Sequence, residues 1–386
     1  MAGLNRKAAI IGVGETAVGI LPESTALGLY VEAAELALAD AGMKWSDIDG
    51  LYTAVSRVDP HPTGSAALAE HLGLRPKFAL SMPVGGMQVT ACIYQAAAMV
   101  LAGIADNIMV ICADNLLSGM SRAGAVDHYA DTGHPDFENP MGAMIPSLYA
   151  LAAQRHMHEY GTTPEQLAAV AVQFRQNAGR HPKAHKRTPI TIEDVLDSKM
   201  IATPFHMLDC SLISDGGCAF IITSAERARD ARQTPVFLLG AGEGRAHQHM
   251  SQSPSLTSFA AREASQRAYA MAGLGPKDID VAMLYDPFTI SPIISLESLG
   301  FCPVGEGGRF VEDGHIAPTG SIPVNTHGGL LSYAHPGRPG GVLLVVEAMR
   351  QLRREAAERQ IPDAEIALVQ ANAGITSGEV TLILGR

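Results

Sequence analysis

The chain has 386 residues, 47% of them hydrophobic and 17% charged, with a formal net charge of −11. That length allows two domains or two fused halves, each with its own core; the acidic balance argues against nucleic acid as the main partner, because neutralising phosphates needs basic surface. The five scattered cysteines form no CxxC pair, so they suggest neither a zinc knuckle nor a disulfide framework, and they suit a reducing cytoplasm.

The first residues lead straight into a strand, and neither a signal peptide nor a long apolar span is expected before it. Residues 8–14 read as a buried strand ending in glycines. Those glycines do not complete a dinucleotide fingerprint, since no acidic residue follows GxGxxG at the right distance. Residues 25–42 have helical periodicity, an Ala-rich face and a closing Gly42. Residues 46–55 predict a turn and a strand, and 78–81 another strand. Residues 85–103 form a nearly uncharged helix, expected to be buried on all sides, and 104–114 a strand. This alternation predicts a parallel sheet covered by helices.

From Asn115 to about Ser198 the character changes. Gly, His, Asp and Pro cluster, and helices are expected near 141–160 and 163–179, with a short third one after the basic run at 180–187. This reads as an inserted loop domain, about 115–200. Residues 209–223 return to strand, with a tight turn at DGG.

An internal repeat organises the rest. Residues 32–49 resemble residues 263–280 without a gap, at a constant offset of 231: Glu32, Ala33, Ala37, Gly42, Asp47, Ile48 and Asp49 recur as Glu263, Ala264, Ala268, Gly273, Asp278, Ile279 and Asp280. Two homologous halves follow, residues 1–234 and 235–386, each with a helix, a helix-ending glycine and a strand. Packed together they predict an α/β protein in five layers, α-β-α-β-α.

The chemistry-bearing stretch is 321–341, SIPVNTHGGLLSYAHPGRPGG. It places His335 at the tip of a Gly- and Pro-bounded loop, too polar for pure core and too apolar for a linker.

Several ordered motifs resemble the thiolase superfamily: IIGVGET, MGAMIPSLYALAAQRHMHEYGTTPEQLAAVAV, SDGGCAFIITSAERA, YDPFT, LESLGFCPVGEGG and PVNTHGGLLSYAHPG. In particular they look like the lipid-transfer-protein or SCP-x-type thiolases and the related steroid side-chain aldolases, over essentially the whole chain. The resemblance implies the thiolase fold and an acyl-CoA thioester as substrate. It also exposes departures. No cysteine stands at residues 84–87, where the resemblance places the nucleophile, and the last loop, VQANAGITSG, has no cysteine either. Cys92 lies almost two turns inside the buried helix, away from the unpaired N–H groups that stabilise a thiolate, and reads as a core residue. Acyl-cysteine chemistry therefore has no nucleophile. The family's Asn position holds Tyr285, in YDPF, and the histidine of its GHP motif is His335, in AHP.

A retro-aldol cleavage needs a base for the β-hydroxyl proton and donors for the enolate oxygen. Tyr285 and His335 are the candidate pair, one for acid/base work and the other to orient or to protonate the enolate. Asn325 and the backbone N–H groups of Gly328 and Gly329 are candidates for the oxyanion site. His327 is a second candidate, equally readable as a loop imidazole bonded to backbone, and Tyr333 reads as a wall residue. The same pair also suits acyltransferase-type C–C bond formation or cleavage, and a chain without both cysteines could also be a non-catalytic subunit of a heteromeric complex.

Other signals are weaker. His128, His134, His156 and His158 have no HExxH spacing and read as loop and helix-surface imidazoles, so no metal is expected. Lys183, Lys186 and Arg187 lie in the loop domain, where the resemblance puts the coenzyme A phosphates. GEGGRF at 305–310 lacks the Lys-Ser/Thr of a phosphate loop. The resemblance further implies a homodimer through the first half's sheet edge, and a small OB-fold, DUF35-type partner protein.

Overall fold

The computed structural model describes residues 4–121, 124 and 132–386. Nine strands form one sheet in the order β3-β2-β4-β7-β1-β8-β11-β10-β9. They are β1 (Ala8–Glu15), β2 (Gly50–Thr53), β3 (Phe78–Ser81), β4 (Asn107–Asp114), β7 (Gly216–Ser224), β8 (Val236–Arg245), β9 (Val281–Leu284), β10 (Ile366–Ala373) and β11 (Gly378–Gly385), while β5 (Met200–Ala202) and β6 (Phe205–His206) pair separately. The sheet falls into two blocks that meet only where Ala9 and Ile10 of β1 face Phe237 and Val236 of β8.

The longer helices are α1 (Ala26–Ala41), α2 (Gly64–His71), α3 (Gln88–Leu101), α4 (Ile145–Tyr160), α5 (Pro164–Gly179), α6 (Ala261–Ala272), α7 (Ile290–Ser298) and α8 (Gly340–Arg353). α3 and α8 pack against each other and against strands of both blocks, so they form a middle layer. α1 covers β1, β7 and β4 from outside, and α6 covers β8 and β11. The result is the α-β-α-β-α layering, with the largest core, around Ile93, Phe220, Val345 and Leu382, in the middle. α3 reads as uncharged because it lies there: Val89, Ala91, Cys92, Ile93 and Ala96 are all at most 1% exposed.

The sheet is mixed, not parallel throughout. β2 runs parallel to β3 and β4, and β10 parallel to β9, but β4/β7, β7/β1, β8/β11 and β11/β10 are antiparallel. Two short routes explain this. β10 reaches β11 through a tight connection that only a hairpin can use, and β7 arrives from the loop region without a crossover helix.

The repeat is visible in geometry. α1 and α6 both end on a left-handed glycine, Gly42 and Gly273, each at φ 70° and ψ 29°. Short 3-10 turns follow at Trp45–Asp47 and Pro276–Asp278, then β2 and β9. The Asp49 carboxylate accepts the N–H groups of Asp106 and Asn107, and Asp280 accepts those of Glu365 and Ile366. The strand glycines pair off as well. A Cβ on Gly12 would lie 2.6 Å from the Ala37 carbonyl oxygen, and one on Gly240 would strike that of Ala268. GVGE and GAGE are thus glycines for close strand–helix packing, not for phosphate.

In the loop region α4 begins at Ile145 and α5 at Pro164, and Ile192–Leu196 is the short third helix. Thr163 and Gln166 cap α5 reciprocally.

Candidate active site

Four loops converge at the inner ends of the strands. β9 ends at Leu284, and Tyr285–Asp286–Pro287–Phe288 follow. Asp286 is fully buried and accepts the N–H groups of Leu330 and Leu331 at 2.8 and 3.1 Å. Gly329, at φ 63°, backs onto that carboxylate so closely that any Cβ would overlap it. This bond ties the tyrosine loop to the histidine loop. Desolvation outweighs the two donors and pushes the Asp286 carboxyl well above its usual range, so it serves as a structural strut.

At the other end of the same loop the Tyr285 hydroxyl lies 3.3 Å from His335 Nε2, with the rings edge to face at 90°. Tyr285 is 6% exposed. The opposite edge of the imidazole is held by the segment that precedes β7. Ser211 Oγ lies 2.9 Å from His335 Nδ1, and Ser214 brackets the His335 backbone, accepting its N–H and donating its own N–H to its carbonyl. The Leu212 backbone also bonds the ring, and with the ring proton on Nδ1, donated to Ser211 Oγ, Nε2 is left to accept from Tyr285. Burial lowers His335 to about 4, so the imidazole is neutral at neutral pH.

The first turn of the α3 segment closes the third side. A Cβ on Gly86 would lie 2.6 Å from the Tyr285 hydroxyl and 2.7 Å from the Asn372 carbonyl oxygen. The phenol therefore occupies the space a side chain at 86 would need. Gly340 and Gly341 open α8 against the His335 and Tyr285 rings and have no room for a Cβ either. Asn372 lies near the end of β10, just ahead of the fourth loop, and its Oδ1 accepts from Tyr149 at 3.3 Å.

Other expected site residues have different places. Asn325 does not face the pair: its Oδ1 accepts the Leu284 N–H and its Nδ2 donates to the Leu284 carbonyl, both at 2.8 Å. Its amide is used up in pinning the end of β9, at the strained φ of 46°. Gly328 cannot offer its N–H to an oxyanion, because it donates to the Asn325 carbonyl at 2.8 Å. His327 is 2% exposed, lies against Tyr333 rather than Tyr285, and is lowered to about 3 by burial. Tyr333 lies between His327 and His181 and donates to Glu15 at 2.6 Å, so it belongs to a buried network behind the loop. Lys183, Lys186 and Arg187 are exposed. The backbone N–H groups of His185 and Lys186 donate to the carbonyls of Tyr333 and Ser332, which lays this basic run alongside the histidine loop.

His128 falls outside the described residues. His134 lies tilted against Phe137 and edge-on to His249, and His158 is exposed. His156 is not a surface imidazole: it is fully buried, bonded to Thr162 and to Glu297. Glu297 also accepts the Gly307 N–H, so the GEGG turn binds a carboxylate of the chain itself. Among the described residues no group of three His, Cys, Asp or Glu could hold a metal ion, and no helix is long and apolar enough to cross a membrane.

None of the five thiols is poised to ionise. Burial pushes Cys92, Cys210 and Cys302 up to about 12, and Cys112 and Cys218 well above their ordinary value. Cys92 is 0% exposed inside the middle layer.

Residues 242–386 match the family described as thiolase C-terminal domain-like. The chain is 38% identical over 405 residues to a steroid side-chain-cleaving aldolase of Thermomonospora curvata, covering 100% of this chain and 99% of that one. The chain belongs to the thiolase superfamily. Within it, the chain is also 35% identical to an acetyl-CoA acetyltransferase of Methanothermobacter thermautotrophicus, over 97% of each. The solved Ltp2-ChsH2(DUF35) aldolase superposes with a TM-score of 0.88 at 36% identity, covering 99% of this chain and 98% of that one. These matches place it beside the SCP-x-type members related to the side-chain aldolases.

Ser211 and Ser214 carry little sequence signal beyond their place just ahead of the DGG turn. Ser211→Ala is expected to lower kcat about tenfold by releasing the Nδ1 edge of His335, with KM little changed. An unchanged kcat would remove the serine from the site.

Proposed function

We propose that the protein is a lyase that cleaves a β-hydroxyacyl-CoA by retro-aldol chemistry, with Tyr285 and His335 as the acting pair. The observation that carries this is the phenol–imidazole contact standing where a thiolase nucleophile would need room, in a chain whose thiols are all held protonated. The β-hydroxyl proton passes to the Tyr285 oxygen as the phenol proton passes to His335 Nε2. The Cα–Cβ bond breaks, the β-carbon becomes a carbonyl, and the electron pair moves to Cα as the thioester enolate. The proton held by the pair then returns to Cα, which releases the shortened acyl-CoA. A neutral imidazole suits this relay, because it accepts without first losing a proton.

The exposed Lys183, Lys186 and Arg187 would hold the coenzyme A phosphates, a role supported by their attachment beside the histidine loop. An open cavity of about 1370 Å³, rimmed by Ser56, Arg57, Ser65, Ser81, Met144 and Arg338 but not by Tyr285 or His335 themselves, would take a bulky acyl group. Arg338 follows His335 on the same loop and donates to the Val55 carbonyl. Residues 1–234 and 235–386 act as two homologous halves, the loop domain at about 115–200 inserted in the first. A second copy would pair along β3, which ends the sheet and exposes Leu80. A small DUF35-type protein would complete the enzyme, as the name of the superposed aldolase suggests. The cytoplasm is the compartment that suits free thiols.

The test is release of acetyl- or propionyl-CoA from β-hydroxyacyl-CoA thioesters by the full chain, alone and with a DUF35-type protein. Turnover is expected, and a thiol-alkylating reagent should leave its rate unchanged. Loss of activity on alkylation would favour acyl transfer through a cysteine; neither turnover nor coenzyme A binding in either preparation would favour a scaffold.

A further inference from the structure

The antiparallel pair β10/β11 presents four polar side chains on one buried face. Gln370 sits opposite Thr381 and Asn372 opposite Glu379, and all four are at most 1% exposed. Tyr285 N–H donates to both Gln370 oxygens, the backbone carbonyl and the side-chain Oε1, each at 3.1 Å. That fixes which way round the Gln370 amide lies, since its nitrogen would present a donor to a donor. The amide nitrogen is then turned away and needs an acceptor, and Glu379 Oε2 accepts from it. On the other side of β9, Asn325 grips Leu284. The end of β9 is therefore clamped from both sides, just before the tyrosine.

A fully buried carboxyl is costly for stability, more so with its Oε1 unpartnered. A leucine would fill the same space at lower cost. We propose that Glu379 is a positioning residue: through the Gln370 amide it fixes the end of β9, and with it the placement of the Tyr285 phenol against His335 Nε2. Desolvation raises this carboxyl well above its usual range and so favours the neutral form; what it supplies to the Gln370 amide is an acceptor oxygen. A glutamine supplies the same oxygen, and a leucine does not.

The inference rests on Tyr285 as the acting phenol, and two readouts separate it from that reading. Hydrogen exchange of the Tyr285 amide reports the clamp without substrate, and steady-state kinetics on a β-hydroxyacyl-CoA report the phenol. Glu379→Leu is expected to speed Tyr285 amide exchange and to lower kcat, each about tenfold, with KM within about twofold. Glu379→Gln is expected to behave as wild type in both. Gln370→Met breaks the same link from the other side; it should match Glu379→Leu, and it stands in for that variant should it fail to fold. Wild-type exchange and turnover in Glu379→Leu would overturn the proposal, and so would a Glu379→Gln variant as impaired as the leucine. If the wild type turned over no β-hydroxyacyl-CoA, the lyase reading would fall while the exchange comparison still decided the clamp.

Discussion

Replacing Tyr285 with phenylalanine is expected to lower kcat by about two to four orders of magnitude, the usual worth of a positioned acid/base group. The substitution removes one oxygen and little else. The ring is nearly buried and edge-on to His335, and its backbone N–H bonds to Gln370 are untouched. Thermal unfolding should therefore stay close to wild type, and KM should move little, because the hydroxyl does not hold the coenzyme A handle. The same geometry makes Gly86→Ala a second route to the same loss, since its methyl group would need the space of the hydroxyl. If the two groups pass one proton between them as proposed, Tyr285→Phe combined with His335→Ala should cost hardly more than either alone. A phenylalanine variant within about threefold of wild type would end the phenol's catalytic role.

What the sequence made legible divides along physical lines. The repeated segment was readable because Gly42 and Gly273 each end a helix in the left-handed conformation, and because Asp49 and Asp280 each accept N–H groups at the start of a neighbouring strand. Tyr285 and His335 were readable as candidates because each lies in a compact local motif, and the fold brings them within 3.3 Å of each other. The direction of the strands was not, since alternating β and α segments say nothing about the short connection that turns β10 back into β11. Nor were Ser211 and Gly86, which reach the pair only through the fold: Ser211 lies 124 positions from His335 in the chain. Asn325 and His327 misled for one reason. A polar residue beside a candidate site loop has the composition of a ligand, whereas burial gives it work inside the protein. The Asn325 amide replaces two missing strand bonds at Leu284, and His327 stacks on Tyr333 behind the loop.

His335→Ala is expected to cost about two to four orders of magnitude in kcat/KM, and its pH behaviour tests the burial that defines the site. A solvent-exposed imidazole titrates near ~6.5. Burial lowers His335 to about 4, and in the proposed relay the neutral ring is the form that accepts a proton from Tyr285. Wild-type kcat/KM should therefore rise with pH through about 4 and be level by about 5. An acid limb centred near ~6.5 would show that the ring is hydrated in solution. The same depression makes a stability statement of definite sign. Between the unfolded value and the folded one, the unfolded chain binds the proton and the native chain refuses it, so stability rises with pH. The contribution is fully present above ~6.5 and is lost as pH falls toward the folded value. Measured as the difference in unfolding free energy between wild type and His335→Ala, wild type should lose about 2 kcal/mol relative to the variant between pH ~7 and pH ~5. The comparison cancels the other buried groups, including Asp286 and Glu379, whose raised carboxyls act in the opposite sense as pH climbs. A difference that did not change with pH would place the imidazole in water and take from it the neutrality on which the relay depends.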